Sequence, residues 1–173
     1  MTTLSNREVV TAFFSAYRDH QPEQMGRWLH PEVEFSDLAF EKLTGDNVGA
    51  MWHWFCVPFG KRDQPIKVPD FEITGESGDT VLVRYRVRYE LDRGKHKVDY
   101  PIASTVTLRD GRIRRQEDRL AISKFRFAWM AAGFPNCLFA YTPQFDKKLR
   151  AKMSGGLAAF LGQQQLAQAA KPV

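Results

Sequence analysis

From Thr80 to Glu90 the chain alternates without a break: Val81, Val83, Tyr85, Val87 and Tyr89 fall on one side, and Leu82, Arg84, Arg86, Arg88 and Glu90 on the other. A period of two belongs to a β-strand, and this division of apolar from charged residues belongs to a strand with one buried and one wet face. Such a strand needs neighbours. Strand-like runs at about 66–76, 97–109 and 112–122 supply them, joined through Gly75–Asp79, Asp92–Lys95 and Asp110-Gly111. Turns this short connect antiparallel strands, so the second half of the chain reads as a meander.

Ahead of the meander the period changes. Ser5 stands three residues before Glu8, a capping-box pattern, and Val9, Val10, Phe13, Phe14, Ala16 and Tyr17 follow at helical spacing, predicting a helix over about 6–19. Pro22 and Glu23 open a second short helix with Met25, Trp28 and Leu29 on one face and Pro31 beyond its end. Val33, Phe35 and Asp37 alternate as a first strand. Thr44-Gly45-Asp46 leads into a third helix carrying Val48, Met51, Trp52, Phe55 and Cys56, stopped by Pro58. Three helices followed by an antiparallel meander define an α+β fold rather than a parallel α/β one. From about 124 the chain turns helical and aromatic, breaks at Gly133-Phe134-Pro135-Asn136, and resumes as a helix over about 144–162. Residues 163–173 read as a flexible tail. The expectation is one domain over 1–162, with a core at about 5–123 and a helical extension at about 124–162.

Composition excludes several classes. The N-terminus has no apolar run after a basic stretch, so no secretory signal is read and a cytoplasmic chain is expected. Phe127–Tyr141, the longest low-charge stretch, is broken and too short to span a bilayer. Cys56 and Cys137 lie in apolar company, as reduced thiols do. The four histidines, His20, His30, His53 and His96, show no paired ligand spacing, and phosphate loops, dinucleotide glycines and nucleophile elbows are absent, so neither metal nor cofactor is expected. The formal charge of +5 invites a nucleic-acid reading, but Glu90, Asp92, Asp99, Asp110 and Glu117 interleave the sheet arginines. That pattern is the solvated face of a sheet, which makes nucleic acid an unlikely partner.

The order of elements over residues 5–123 resembles the nuclear-transport-factor-2-like superfamily, which includes SnoaL-like polyketide cyclases, ketosteroid isomerases and limonene epoxide hydrolases. The extension, with GFPNCLFAYTP, is similar to that of one bacterial subgroup. The resemblance implies a cone of three N-terminal helices packed on a curved, mainly antiparallel sheet and enclosing an apolar pocket, and a homodimer, to which the apolar residues after 125 lend themselves. WLHPEVEFSDL resembles the isomerase stretch whose aspartate ends the first strand and shuttles a proton; Asp37 holds that position. GRIRRQEDRLA resembles the last strand of the cyclase and hydrolase groups, and puts Asp118 on its pocket-facing aspartate. Departures accompany both. The isomerase's helix-1 tyrosine is replaced by Phe13 or Phe14, with Tyr17 one turn away. Its second oxyanion donor falls on Ala103 or Ser104. The hydrolase's Arg-x-Asp falls near Tyr85 and Val87, and Ala121 replaces the second aspartate of the last strand.

The chemistry implied is acid–base work by two carboxylates on an apolar oxygenated compound, as in an isomerase, cyclase or hydrolase. Burial raises a carboxyl's pKa toward neutrality, and two carboxyls sharing a pocket split theirs, leaving one as base and one as acid. Asp37 among Phe35, Leu38 and Phe40 suits the first role, although an aspartate there can equally cap its own turn. Asp118 suits the second, although it sits among Arg114, Arg115 and Arg119, with which a cross-strand ion pair is the plain alternative. Tyr17 and Tyr85 are candidate oxyanion donors. Ser104, Gln116, Trp52, Phe13 and Trp28 are candidate substrate contacts, and His53 a weaker candidate base. A non-catalytic protein that binds a hydrophobic ligand or a partner is the rival reading.

Overall fold

The computed structural model describes residues 4–59 and 62–169. Helix α1 (Asn6–Arg18) opens on the capping box: the Ser5 hydroxyl accepts the Glu8 amide at 3.3 Å and the Glu8 carboxylate accepts the Ser5 amide at 2.7 Å. Helix α2 (Pro22–Arg27) carries proline in its first turn, where no donor is lost. Strand β1 (Leu29–Ser36), the short β2 (Leu43–Thr44) and helix α3 (Asp46–Cys56) follow. The meander is β3 (Phe71–Ser77), β4 (Thr80–Leu91), β5 (His96–Arg109) and β6 (Arg112–Leu120). Helix α4 (Lys124–Ala132), a 3-10 turn (Asn136–Phe139) and helix α5 (Pro143–Ala169) complete the order.

The six strands form one curved sheet in the order β2-β1-β6-β5-β4-β3, with every pair antiparallel except β1 and β6. The fold is α+β as the alternation requires. Val81, Val83, Tyr85 and Val87 of β4 turn inward and meet Val9, Phe13, Phe14 and Tyr17 of α1 and Val48, Met51, Trp52 and Phe55 of α3 in a single core. On the outer face Arg88 pairs with Asp99 at 2.9 Å, Arg114 with Glu34 at 3.4 Å and Arg115 with Glu117 at 2.9 Å, so much of the basic face carries its own counter-charges.

Four boundaries differ from expectation. Strand β1 starts at Leu29 rather than Val33 and runs through Pro31; the ladder to β6 is irregular between Leu29 and Glu34, which is where a strand can hold a residue without a donor. Residues 66–70 lie outside β3: Pro65 and Pro69 break the ladder, leaving a single bridge between Lys67 and Arg88 while Ile66 and Val68 remain buried. Strand β2 is too short to show a period. The last helix does not end near 162 but continues to Ala169, because Gln-rich and Ala-rich sequence favours helix and Gly162 alone costs only about 1 kcal/mol. Residues 170–173 lie outside the described residues.

One irregularity sets the site. Between β5 and β6 the register steps from Thr107↔Arg115 to Leu108↔Ile113, so Arg114 is an extra residue on β6. The bulge reverses the alternation: Ile113 faces in, and beyond it Gln116 and Asp118 do too.

The extension packs back onto the core. Leu157 and Phe160 of α5 are buried in it, each burial worth about 1.5–3 kcal/mol, with Leu149, Met153 and Leu161 alongside. Gly156 lets α5 approach α3 closely: a β-carbon there would stand 2.8 Å from Cζ2 of Trp54.

Candidate active site

Asp37 follows the last residue of β1, at the point where the chain turns back. Its Oδ1 accepts the amides of Ala39 at 2.8 Å and Phe40 at 2.6 Å, while its own amide donates to the Phe40 carbonyl at 2.8 Å. The turn-capping geometry is therefore real, and because both amides fall on Oδ1 it leaves Oδ2 to hold a proton. Burial is the largest influence on this carboxyl and pushes its pKa up to about 7; the Phe40 amide opposes that, and the charge of Asp118 adds to it.

Asp118 is not in an ion pair with its neighbouring arginines. The Tyr85 hydroxyl donates to its Oδ2, and Gln116 Nε2 donates to Oδ1 at 3.0 Å. Ser104 stands directly opposite on β5, its hydroxyl buried and close enough to favour the charged carboxylate, yet short of a well-formed hydrogen bond. Burial outweighs these donors, and the Asp118 pKa is raised. Burial likewise lifts the Tyr17 and Tyr85 hydroxyls well above their ordinary value, so both remain proton donors at neutral pH.

Asp37 and Asp118 line the same crevice, about 40 Å³, with Tyr100, Ile102, Phe127 and Leu149 among its walls. Its polar side comes from β1, β5 and β6, and its apolar side partly from the extension, since Phe127 belongs to α4 and Leu149 to α5. Arg150 of α5 donates to the Leu38 carbonyl at 3.5 Å and pairs with Glu41 at 3.2 Å, fixing the extension across the Asp37 turn.

The other expected residues sit deeper or elsewhere. Phe13 meets Trp52 edge-on at 5.5 Å; Tyr17 meets Trp52 at 4.9 Å and Tyr85 at 6.4 Å. These rings, with Phe14 and Phe35, fill the interior of the cone. Trp52 Nε1, Ser104 Oγ and Gln116 Oε1 are buried there without a hydrogen-bond partner, an unusual concentration of orphaned polar atoms. Trp28 caps α2, partly buried at the core's edge. His53 is engaged by α5, through Gln164 at 3.1 Å and an edge contact with Phe160.

Sequence reasoning overlooked Tyr100, which lines the crevice and packs edge-on against Phe127 at 5.2 Å. Its hydroxyl is close enough to that of Tyr89 for each to influence the other's ionisation, and Tyr89 lines a separate cleft of about 630 Å³ between residues 63–67 and the β4–β5 hairpin. The signal was available: Val98, Tyr100, Ile102, Ser104, Val106 and Leu108 alternate along β5 as the inward set of β4 does. Among the described residues no cluster of three potential metal ligands occurs, and no helix is long and apolar enough to cross a membrane.

Two carboxyls, the half-buried Asp37 and the buried Asp118, thus face one crevice of an α+β domain. Residues 10–116, more than half of the chain, match the family model of the SnoaL-like domain, and the chain belongs to that family. It shares its fold with an NTF2-like protein of Burkholderia pseudomallei (14% identity, TM-score 0.60, covering 76% of this chain and 99% of that one). An LEH-like epoxide hydrolase of M. tuberculosis is similar in the same way (18%, 0.55, 78% and 92%). So is a protein of ketosteroid isomerase-like fold from Catenulispora acidiphila, solved with trimethylamine (16%, 0.55, 73% and 94%). No curated protein sequence matches the chain.

Proposed function

We propose that the chain is a cofactor-free acid–base enzyme of the isomerase, cyclase or hydrolase type, acting on an apolar oxygenated compound. The observation that carries this reading is the meeting of Asp37 and Asp118 in one crevice, with Asp37 poised at about 7. Oδ2 of Asp37 takes a proton from carbon beside a carbonyl and returns it to another atom of the same molecule, so no proton is gained or lost overall. Asp118, held by Tyr85 and Gln116 and protonated as its burial favours, donates to the substrate oxygen on which negative charge develops. General acid–base catalysis of this kind contributes about 10²–10⁴-fold in rate. Trp52 Nε1 and Ser104 Oγ are donors available to substrate oxygens, and Gln116 Oε1 an acceptor. The site is built from a single chain, so pairing of two subunits, which the resemblance implies, would leave it whole.

The second reading, a non-catalytic pocket, is favoured by size: a crevice of about 40 Å³ is far below the roughly 300 Å³ that small-molecule sites usually offer. An enzyme here must move rings such as Tyr100 and Phe127 aside on binding.

The test is a thermal-shift panel of apolar ketones, lactones and epoxides on wild type and Asp37→Asn, followed by NMR of each stabilising ketone in deuterated water. Deuterium entering beside the carbonyl with wild type and not with Asp37→Asn supports catalysis. Equal stabilisation of both proteins with no exchange or turnover supports the binding protein instead.

A further inference from the structure

We infer that the extension docks on an anionic phospholipid surface. Residues 123–173 hold seven Lys and Arg against one acidic residue, Asp146, while the remainder of the chain holds 18 against 19. The whole positive excess of the protein therefore lies on the extension. The stretch 125–141 of this segment exposes Phe125, Trp129, Phe134, Leu138, Phe139 and Tyr141, and outside that stretch only Leu4, Leu82 and Leu166 are large, apolar and exposed among the described residues. These six side chains are not spent on folding. The segment has its own small core in Ala128, Cys137 and Ala140, with Phe145 against it, and is tied to the sheet through Phe127. Phe134 is 69% exposed and Trp129 53%.

Basic residues flank the aromatics on both sides. Lys124 is neutralised by Asp146 at 2.8 Å, but Arg126, Lys147, Lys148 and Lys152 are exposed. Aromatic and aliphatic side chains within a lysine-rich surround match the boundary of a bilayer, where rings enter the headgroup layer and cations meet anionic lipid. A protein partner would select against lysine in the patch, and a second copy would bring like charges together. The docking does not depend on catalysis, but it has a bearing on the proposed site: Phe127 and Leu149 of the docked segment form part of the crevice wall. Apolar compounds dissolved in lipid would therefore reach the crevice from the membrane side.

The experiment is sedimentation of the full chain with vesicles of phosphatidylcholine alone or mixed with phosphatidylglycerol, read also by Trp129 fluorescence. Binding to the mixed vesicles is expected, with a blue shift that Trp129→Phe abolishes, and it should weaken with salt. Phe134→Ser with Phe139→Ser, and separately Lys147→Glu with Lys148→Glu, should each weaken binding on the order of tenfold or more while leaving the melting temperature unchanged. Asp37→Asn should bind as wild type, which separates this result from the catalytic one. The inference is overturned by failure to bind mixed vesicles at low salt, or by binding that neither pair of substitutions alters. A concentration-dependent dimer lost in the phenylalanine variant would assign the patch to a second copy instead. A salt-sensitive shift of a single-stranded oligonucleotide without vesicle binding would assign it to nucleic acid.

Discussion

Tyr85 reaches across β5 to Asp118: the donor on β4 stands opposite Ile102 and the acceptor on β6 opposite Ser104, so the bond crosses the intervening strand on the diagonal. The length of the tyrosine side chain spans the intervening strand, whose residue opposite Asp118 is the small Ser104. The carboxylate is thus held by groups from neighbouring strands, and its charge state is coupled to sheet geometry.

Tyr85→Phe removes one of the donors that lower the Asp118 pKa. The Asp118 pKa should rise further, and at pH values high enough to ionise Asp118 the protein should lose about 1–3 kcal/mol, because the carboxylate is left with fewer donors. In acid, with Asp118 protonated, the loss should shrink. Urea unfolding at both pH values checks this; a loss independent of pH would mean that only packing was affected.

Asp37 makes stability depend on pH in a defined sense. Its folded pKa of about 7 lies above the ordinary 3.8, so the folded protein keeps a proton that the unfolded chain has released. Stability from this group is greatest below about pH 4, falls as pH rises through about 7, and is flat above, by as much as about 4 kcal/mol for an isolated carboxyl. Asn at position 37 retains an oxygen for the Ala39 and Phe40 amides and cannot ionise. The stability difference between Asp37→Asn and wild type should therefore grow in favour of the variant as pH rises, and a constant difference would show that Asp37 titrates normally.

How much of this was legible depended on whether the determinant was periodic. The alternation over Thr80–Glu90 and the Ser5–Glu8 box specify strand and helix through local geometry, and both appear as read. The positions of Asp37 and Asp118 followed from short matching stretches, and both line one crevice. What escaped reading depends on register. Pro31 within β1 looked like a helix stop because the ladder irregularity that accommodates it involves a strand about 80 residues away. The filling of the cone by Phe13, Tyr17 and Trp52 is a matter of volumes, which no spacing encodes.

Gly156 and Gly155 are adjacent on α5, yet substitution should separate them. Gly156→Ala places a methyl against the Trp54 ring and should cost about 1–3 kcal/mol as α5 is pushed from α3. Gly155→Ala meets nothing within 4 Å and should stabilise by roughly 0.5–1 kcal/mol through helix propensity. Thermal melts of the pair decide it; similar effects of both would show that α5 is not closely packed there.

Arg62 is a buried cation that donates to the last carbonyls of α3, Trp54 at 2.7 Å and Phe55 at 3.3 Å, and lies against both rings. Arg62→Met should cost about 1–3 kcal/mol by orphaning the Trp54 carbonyl at the negative end of the helix, while the Phe55 carbonyl keeps the Ile66 amide at 2.9 Å. Lysine cannot span both acceptors and should recover less than half. Full recovery by lysine in chemical denaturation would show that charge alone matters.

The extra residue at Arg114 means that the interior of this protein is decided by counting. Straighten β6 through the bulge while keeping Arg114 in the chain and Ile113 inward, and the strand would offer Arg115, Glu117 and Arg119 inward, replacing an amide and a carboxyl with two cations and a differently placed acid. Relatives aligned on composition alone, without regard to the bulge, would pair lining residues with outer ones. An added residue that a bulge absorbs therefore leaves the lining as it was, whereas one accommodated by a shift of register exchanges an entire set of chemical groups while the sheet around it stays the same.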